Sequence, residues 1–407
     1  MSSPNLDFYK NILVSVDNSD HSRCAERLGL MIGKASQAKI TGLHVYSGTF
    51  HRFRFDALEE HLPDKYLREA VLDYQRKIHS VLINRGLELI SLEYMKHLRD
   101  ACQQADVFFE ERLVDGKNSD SIIEQAESCD LVVMGALGIG AVPGGSKLGS
   151  NARRILHDVQ KDVCITRKEC ELKNIFVGVD GSDYSFRTVE RSAQLAKAFN
   201  STLTILTCFD PVLHKVVFRS LADVLSEQSG RVFKFKEQEL LHNQVIDSSL
   251  EKLYQGYLEK ARHIALGYHV SVKTELLKGK PYAALCERLM ESNADLFVVG
   301  RFGMHKGKHS RIGSTAERVA ENAQTNVLLV SLNNGVQKPS VNTESRIITE
   351  TAHKTLVWNE DAKKRLENIP NFARPMAVLA IERYATEKGI TVITPDVMKD
   401  ARGRYES

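Results

Sequence analysis

No stretch of about 18 apolar residues occurs anywhere in the 407-residue chain, so no part of it is expected to cross a bilayer as a helix. The opening MSSPNLDFYK lacks an apolar core of signal-peptide length, and strand-like sequence begins by Asn11, which predicts a cytoplasmic location. Cysteine is sparse and scattered: Cys24, Cys102, Cys129, Cys164, Cys170, Cys208 and Cys286 never form a C-x-x-C pair. That spacing excludes the usual zinc-ligand pattern and predicts reduced thiols, with no metal site. Charge of one sign is not in surplus. With 55 Lys and Arg against 52 Asp and Glu, the net charge of +3 argues against a broad nucleic-acid-binding face. Three catalytic signatures are missing as well. There is no G-x-x-x-x-G-K-[S/T] phosphate loop, no S-G-G-x-D-S pyrophosphatase loop and no hydrolase nucleophile elbow. No catalytic residue is assigned.

What the chain does contain is a duplication. KNILVSVDNSDHS at 10–22 recurs as KNIFVGVDGSDYS at 173–185, DLVVMGALG at 130–138 as DLFVVGRFG at 295–303, and Gly149-Ser150 as Gly313-Ser314. The offsets read from the numbering are 163, 165 and 164 residues, which marks two copies of one domain. A length of 407 residues allows two to three domains, and 43% apolar with 26% charged residues is a globular composition. Each copy alternates short apolar strands, such as Ile12–Val16 and Ile175–Val179, with helical stretches. In copy two the predicted order is a helix from Tyr184 to Phe199, strand 202–209, a long insertion, strand 270–276, helix 282–291, strand 295–300, helix 314–323 and strand 326–330. The expected fold is α/β: two tandem doubly wound, Rossmann-like parallel sheets with right-handed crossovers. The ligand crevice of such a sheet lies beyond the carboxyl ends of the strands, where Asp17, Asp180, Gly135 and Gly300 fall.

The chemistry-bearing loop of copy two runs Gly300-Arg-Phe-Gly303, nine residues, then Gly313-Ser314-Thr315 at a helix start. Glycines let the backbone approach a phosphate, and a helix N-terminus with hydroxyls favours an anion. The loop between them adds Lys306, Lys308, His309 and Arg311, a basic lid suited to a polyphosphate. This G-x2-G-x9-G-[S/T] pattern resembles that of ATP-binding universal stress proteins, and the resemblance covers residues 8–331. It implies that Asp180 contacts the nucleoside and that main chain around Cys208 and Phe209 edges the adenine. It implies also that Gly300, Gly303, Gly313, Ser314 and Thr315 hold ribose and phosphates. The alternative for Asp180 is a cap on its own helix, a role Ser182 fills equally well. The implied ligand is ATP or another adenine nucleotide, with magnesium as a candidate companion ion.

Copy one departs from the pattern. Gly135-Ala-Leu-Gly138 is followed by ten residues, IGAVPGGSKL, with one Lys and no Arg or His, and then by Gly149-Ser150-Asn151. Asp17 is retained, but this nearly uncharged loop is expected to hold a triphosphate less well than copy two. The two copies are expected to pair about a pseudo-two-fold axis, as separate chains of the family do.

Long helical insertions occupy about 50–105 and 211–268. FHRFRF (50–55) and RVFKFK (231–236) alternate aromatic and basic residues. They suit a membrane surface, a nucleic acid or an acidic partner, or else the aromatics pack inward with their charges in water, which is the favoured expectation. The insertions are expected to pack between the domains or against a second chain.

Residues 332–355 read as a polar linker between copy two (172–331, after copy one at 8–168) and a mainly helical module at 356–407. Asn359 is a cap candidate there and Pro370 a stop; a middle helix is expected over about 376–388, ending at Gly389, and Thr394-Pro395 starts a third, short helix. The run from Trp358 to Ala401 resembles the small C-terminal domain found in a subunit of light-independent protochlorophyllide reductase, which implies a docking or ligand-sensing role. The leading expectation is a nucleotide-binding stress or regulatory protein, with a homodimer or another protein as partner and its state relayed through the inserted helices or this module. A slow ATPase or nucleotide-dependent transferase, and an adaptor for a tetrapyrrole or electron-transfer system, are the alternatives.

Overall fold

In the computed structural model the described residues are 8–142, 147–210, 247–304, 311–331, 357–367, 378, 381–382, 384–385, 388 and 390–405. The RVFKFK motif, the lid residues Lys306, Lys308 and His309, the linker, Pro370 and most of the middle C-terminal helix lie outside them. The chain divides into two compact units, Met1–Val336 and Gln337–Ser407.

The first unit is one ten-stranded sheet ordered β3-β2-β1-β4-β5-β10-β9-β6-β7-β8. Its first half holds β1 (Asn11–Ser15), α1 (Asp20–Ser36), β2 (Lys39–Tyr46), α2 (Gly48–Leu58), α3 (Glu69–Gln104), β3 (Phe109–Asp115), α4 (Asn118–Ala126), β4 (Leu131–Gly135), α5 (Ser150–Asp158) and β5 (Asp162–Thr166). The second half repeats this order with β6 (Asn174–Val179), α6 (Asp183–Phe199), β7 (Thr202–Phe209), α7 (Asp247–Leu266), β8 (Ser271–Lys278), α8 (Pro281–Met290), β9 (Leu296–Gly300), α9 (Ser314–Asn322) and β10 (Asn326–Val330). Within each half every pairing is parallel. The near-continuous apolar runs of β4, β5, β9 and β10 follow from burial on both faces. Side chains of α1, α3, α6 and α7 cover one face and those of α4, α5, α8 and α9 the other. The start of each first helix is set by a serine: Ser19 and Ser182 accept the N–H groups of Ser22 and Ser185. Each ends on a left-handed residue, Gln37 or Asn200.

The halves join where β5 and β10 pair antiparallel, Cys164 opposite Leu328. The expected pseudo-two-fold pairing is therefore made within one chain. At this seam Asp162 is fully buried, accepting from Tyr9 Oη at 2.7 Å and from the N–H of Ser331 at 2.8 Å. Arg191 Nε stands 3.5 Å away. Burial pushes the Asp162 carboxyl above its ordinary range, against the pull of Arg191 and its donors. In the symmetric position Asn326 accepts the N–H of Arg167 at 2.8 Å. Two guanidiniums cross the seam in opposite directions. Arg301, fully buried, donates to the carbonyl of Leu156 at 2.5 Å, and the half-buried Arg167 donates to those of Ala320 and Thr325. Loss of water around both lowers their pKa values to about 10.

The second unit pairs Val357–Trp358 with Val392–Ile393 as a two-stranded parallel sheet, an element the helical reading of this segment lacked. Asn359 caps helix Glu360–Glu367 by accepting the N–H of Ala362 at 2.8 Å, and Pro395 opens helix Pro395–Tyr405. Ala362, Ile381, Ala385, Ile393 and Met398 form its small core.

Asp162→Ala leaves Arg191, Tyr9 and the Ser331 amide without their buried acceptor. It is expected to lower the unfolding free energy by about 3–5 kcal/mol, measured by urea denaturation. Asp162→Asn, which keeps an acceptor as Asn326 does in the other half, is expected to cost less.

Candidate functional site: two strand-end crevices

Both strand-end aspartates are held the same way. Asp17 Oδ1 accepts from the N–H of Ser19 at 3.1 Å and its hydroxyl at 2.6 Å, and Oδ2 from the N–H of Ile139 at 3.3 Å. Asp180 Oδ1 accepts from Ser182 N–H at 3.0 Å and hydroxyl at 2.6 Å, and Oδ2 from Met304 N–H at 2.8 Å. Each carboxylate thus ties the first turn to the loop after the fourth strand of its half. Three donors leave it roughly one of the about four acceptor positions a carboxylate offers. The caps themselves are the serines, not the aspartates.

The glycines divide into three jobs. A Cβ on Gly138 would lie 2.7 Å from Asp17 Oδ2, and one on Gly303 would overlap Asp180 Oδ2, so these positions let the loop lie on the carboxylate. A Cβ on Gly135 would meet His21 at 2.8 Å, and one on Gly300 the Thr188 hydroxyl at 3.1 Å. The first glycine of each pair therefore makes room for a close neighbour, the first helix of its half and, at Gly300, also the Phe302 carbonyl at 3.0 Å. Gly149 and Gly313 close the loops by donating to the carbonyls of Ala136 at 2.8 Å and Arg301 at 2.7 Å. Helices α5 and α9 start immediately after them, at Ser150 and Ser314, with no side-chain cap on their first N–H groups. Thr315 follows in the first turn of α9.

In the first half these pieces surround a cleft of about 520 Å³, lined by Asp17, His44, Asn118, Gly138, Gly149 and Ser150 among others. Val45, next to the end of β2, contributes one wall. The sequence reading missed His44 and Asn118. The available signal for Asn118 was Gly116-Lys117 after β3, which recurs as Gly279-Lys280 after β8. His44 is a polar break in an apolar strand, and its Nδ1 lies 2.6 Å from the Val16 carbonyl while its ring meets Tyr94 edge-on at 5.3 Å. His21 Nδ1 accepts the N–H of Leu137 at 3.0 Å, which requires the unprotonated nitrogen. Burial, then the Arg167 charge, pushes this imidazole below its usual range.

The second half differs at the same place. The Tyr257 ring packs on Gly181, 2.5–2.7 Å from where a Cβ would stand, and Tyr254 lies 5.8 Å from Phe209, ring to ring. Burial raises the Tyr254 phenol, and its neighbours Tyr257, Asp180 and Cys208 add to the shift. Cys208 donates its thiol to the Gly279 carbonyl at 3.1 Å, and burial pushes it up to about 12. The strand register equates Phe109 with Val272, so Tyr254 and Tyr257 correspond to Ser91 and Tyr94 of the first half. The first half thus has a serine at the position of Tyr254 and a tyrosine at that of Tyr257. Arg311, assigned to the basic lid, is ion-paired with Asp158.

These features define a tandem, doubly wound α/β protein with matched strand-end crevices. The chain belongs to the universal stress protein family, whose description fits residues 8–167 and 171–331. Residues 358–402 match the proto-chlorophyllide reductase 57 kD subunit. A universal stress protein of Mycobacterium tuberculosis is 30% identical over 159 residues, 39% of this chain and 95% of its own. One subunit of the light-independent protochlorophyllide reductase of Rhodopseudomonas palustris is 39% identical over 69 residues, 17% of this chain and 12% of that protein. The crystal structure of a universal stress protein from Archaeoglobus fulgidus aligns over 80% of this chain and 98% of its own, at 18% identity and a TM-score of 0.50, a likeness of fold.

Gly138→Ala and Gly303→Ala are each expected to cost about 1–3 kcal/mol in urea unfolding, the second more, because the new methyl displaces a carboxylate. Since folding depresses the His21 pKa, its stabilising contribution is complete above about pH 6.5 and is lost as pH falls from there toward the lowered value. A proton NMR titration should place its midpoint below that of an ordinary histidine, and His21→Gln should flatten this part of the stability–pH curve.

Proposed function

We propose that this is an adenine-nucleotide-binding regulatory protein whose principal site is the cleft of the first half. One observation carries the reading: Asp17, the Gly138 loop and the uncapped N-terminus of α5 converge on a cleft of about 520 Å³, within the ordinary size range of small-ligand pockets. The spare acceptor capacity of Asp17 suits a ribose hydroxyl. The strand-end main chain near Val45 suits the adenine edge. The first N–H groups of α5, with the Ser150 hydroxyl, suit phosphate oxygens. We rank the first half above the second, against the expectation from loop charge alone, because Tyr254 stands beside Phe209 and close to Asp180 in the second half, at the position Ser91 holds in the first.

Among the described residues no group of three His, Cys, Asp or Glu side chains could hold a metal ion. Magnesium would therefore accompany the nucleotide as a phosphate counter-ion. The described lining contains no lysine or arginine, so phosphate binding rests on amides and hydroxyls, and the cleft should tolerate mono-, di- and triphosphates with little preference. A partner would read the nucleotide state through the inserted helices or the C-terminal module. The match at 358–402 favours a second reading of that module, as an adaptor for a tetrapyrrole or electron-transfer system.

Calorimetric titration of the full chain with ATP and AMP tests the proposal. Binding of one nucleotide per chain is expected, weakened by at least about tenfold in Gly149→Val and little changed in Gly313→Val. No binding of either nucleotide at millimolar concentration would sink it. Loss confined to Gly313→Val would move the site to the second half.

A further inference from the structure

The α2–α3 insertion carries an apolar surface that nothing in the nucleotide site uses. Helix α3 has 36 residues, about 54 Å, yet its residues in the main core cluster are Met95, Leu98 and Cys102 in its last third. Helix α2 buttresses the earlier part. Phe55 stacks on His79 at 4.2 Å, and Arg76, beside it, makes a forked pair with Glu59 at 2.6 and 2.7 Å. Of the FHRFRF motif only Phe55 packs in this way, while Phe50 and Phe53 are exposed, so the inward packing expected of its aromatics holds only in part.

A third side of α3 is bare. Tyr74, Ile78, Val81, Leu82 and Leu89 fall within about 100° of one another on a helical wheel. They are 60%, 45%, 68%, 66% and 52% exposed. Together they present roughly 500 Å², near the top of the range for the largest patch on a monomer. Arg85 shares the stripe, its head held by Glu88 at 2.7 Å.

We propose that this stripe is the interface with a second copy of the chain, the two α3 helices lying antiparallel about a two-fold axis between Val81 and Leu82. That axis sets Tyr74 opposite the partner's Leu89 and Ile78 opposite the stem of the partner's Arg85. Lys77 then comes level, within about half a helical turn, with the partner's Glu88 along the same flank. Opposite charges meet at both ends of the seam, which is the self-complementarity an isologous contact requires. With these flanks each copy approaches the roughly 800 Å² that one partner gives to a stable interface. An anionic lipid surface fits less well. Residues 48–90 contain seven Lys and Arg (Arg52, Arg54, Lys65, Arg68, Arg76, Lys77, Arg85) and as many Asp and Glu, so the arm carries no net positive charge. The proposal is independent of nucleotide binding.

Sedimentation velocity of the full chain across a concentration series tests it. A monomer–dimer equilibrium is expected, and Val81→Glu with Leu82→Glu, both on exposed positions, should raise its dissociation constant by about 100-fold or more. Cross-linking sets the register: Tyr74→Cys mixed with Leu89→Cys should link above the level of the unsubstituted chain, and Tyr74→Cys alone should not. A monomer at every concentration would overturn the proposal, whether the stripe is then covered by residues 211–246 of the same chain or left bare. So would a dimer indifferent to the glutamates, a Tyr74→Cys self-link, or a monomer that sediments with phosphatidylserine vesicles through these residues.

Discussion

The buried carboxylate of Asp162 sits where the two halves of the sheet become one. A buried carboxylate is costly unless every lone pair is used. Here the donors come from three places: the N-terminal Tyr9, Arg191 of α6 and the main chain after β10. Satisfying it therefore requires both halves to be in register. The guanidiniums of Arg167 and Arg301, each donating to carbonyls of the opposite half, impose the same condition. The antiparallel pairing of β5 with β10 would otherwise be three residues of hydrogen-bonded strand, open to slippage. With these polar anchors one alignment is favoured, and two duplicated halves behave as one compact unit.

That alignment leaves the two crevices at the carboxyl ends of oppositely running strand sets. Within each, the organising interaction is an aspartate that ties two loops together through three hydrogen bonds. The second glycine of the loop is there because the carboxylate occupies the space a side chain would need. The same glycines that read as phosphate contacts thus first build the crevice. Whatever ligand enters then meets a preformed wall and an uncapped helix start, so little ordering cost falls on binding.

Duplication has also let the halves diverge. The first half has Ser91, whose hydroxyl turns back to the Leu87 carbonyl of its own helix, and a cleft at its strand ends. The second places Tyr254 and Tyr257 against Phe209 and Gly181. Gly181 has a positive φ of 86°, and its lack of a side chain is what admits the Tyr257 ring; Asn18 holds the matching backbone turn, at φ 62°, in the first half. One scaffold therefore carries two strand-end crevices with different aromatic surroundings. The exposed stripe of α3 belongs to the insertion and not to the sheet framework that the two halves share.

The sequence by itself determined the duplication, the α/β class, the strand boundaries at 202–209 and 326–330 and the strand ends at which the crevices fall. These are local properties: apolar runs and a repeat at fixed offset register the chain against itself without reference to packing. It also marked Asp17, Asp180 and the glycines as candidate site residues. Only the tertiary structure decided what each of them does. That Gly135 and Gly300 serve helix packing, that Ser182 caps while Asp180 braces a loop, and that Arg311 pairs with Asp158 depend on which groups lie within hydrogen-bond reach across long separations in the chain. Loop charge favoured the second half as the ligand site. It could not reveal that tyrosines far downstream of Asp180 fold back onto Gly181 and Phe209, because the register of α7 against β7 is fixed by burial of Leu258, Ala261 and Ala265, not by any motif.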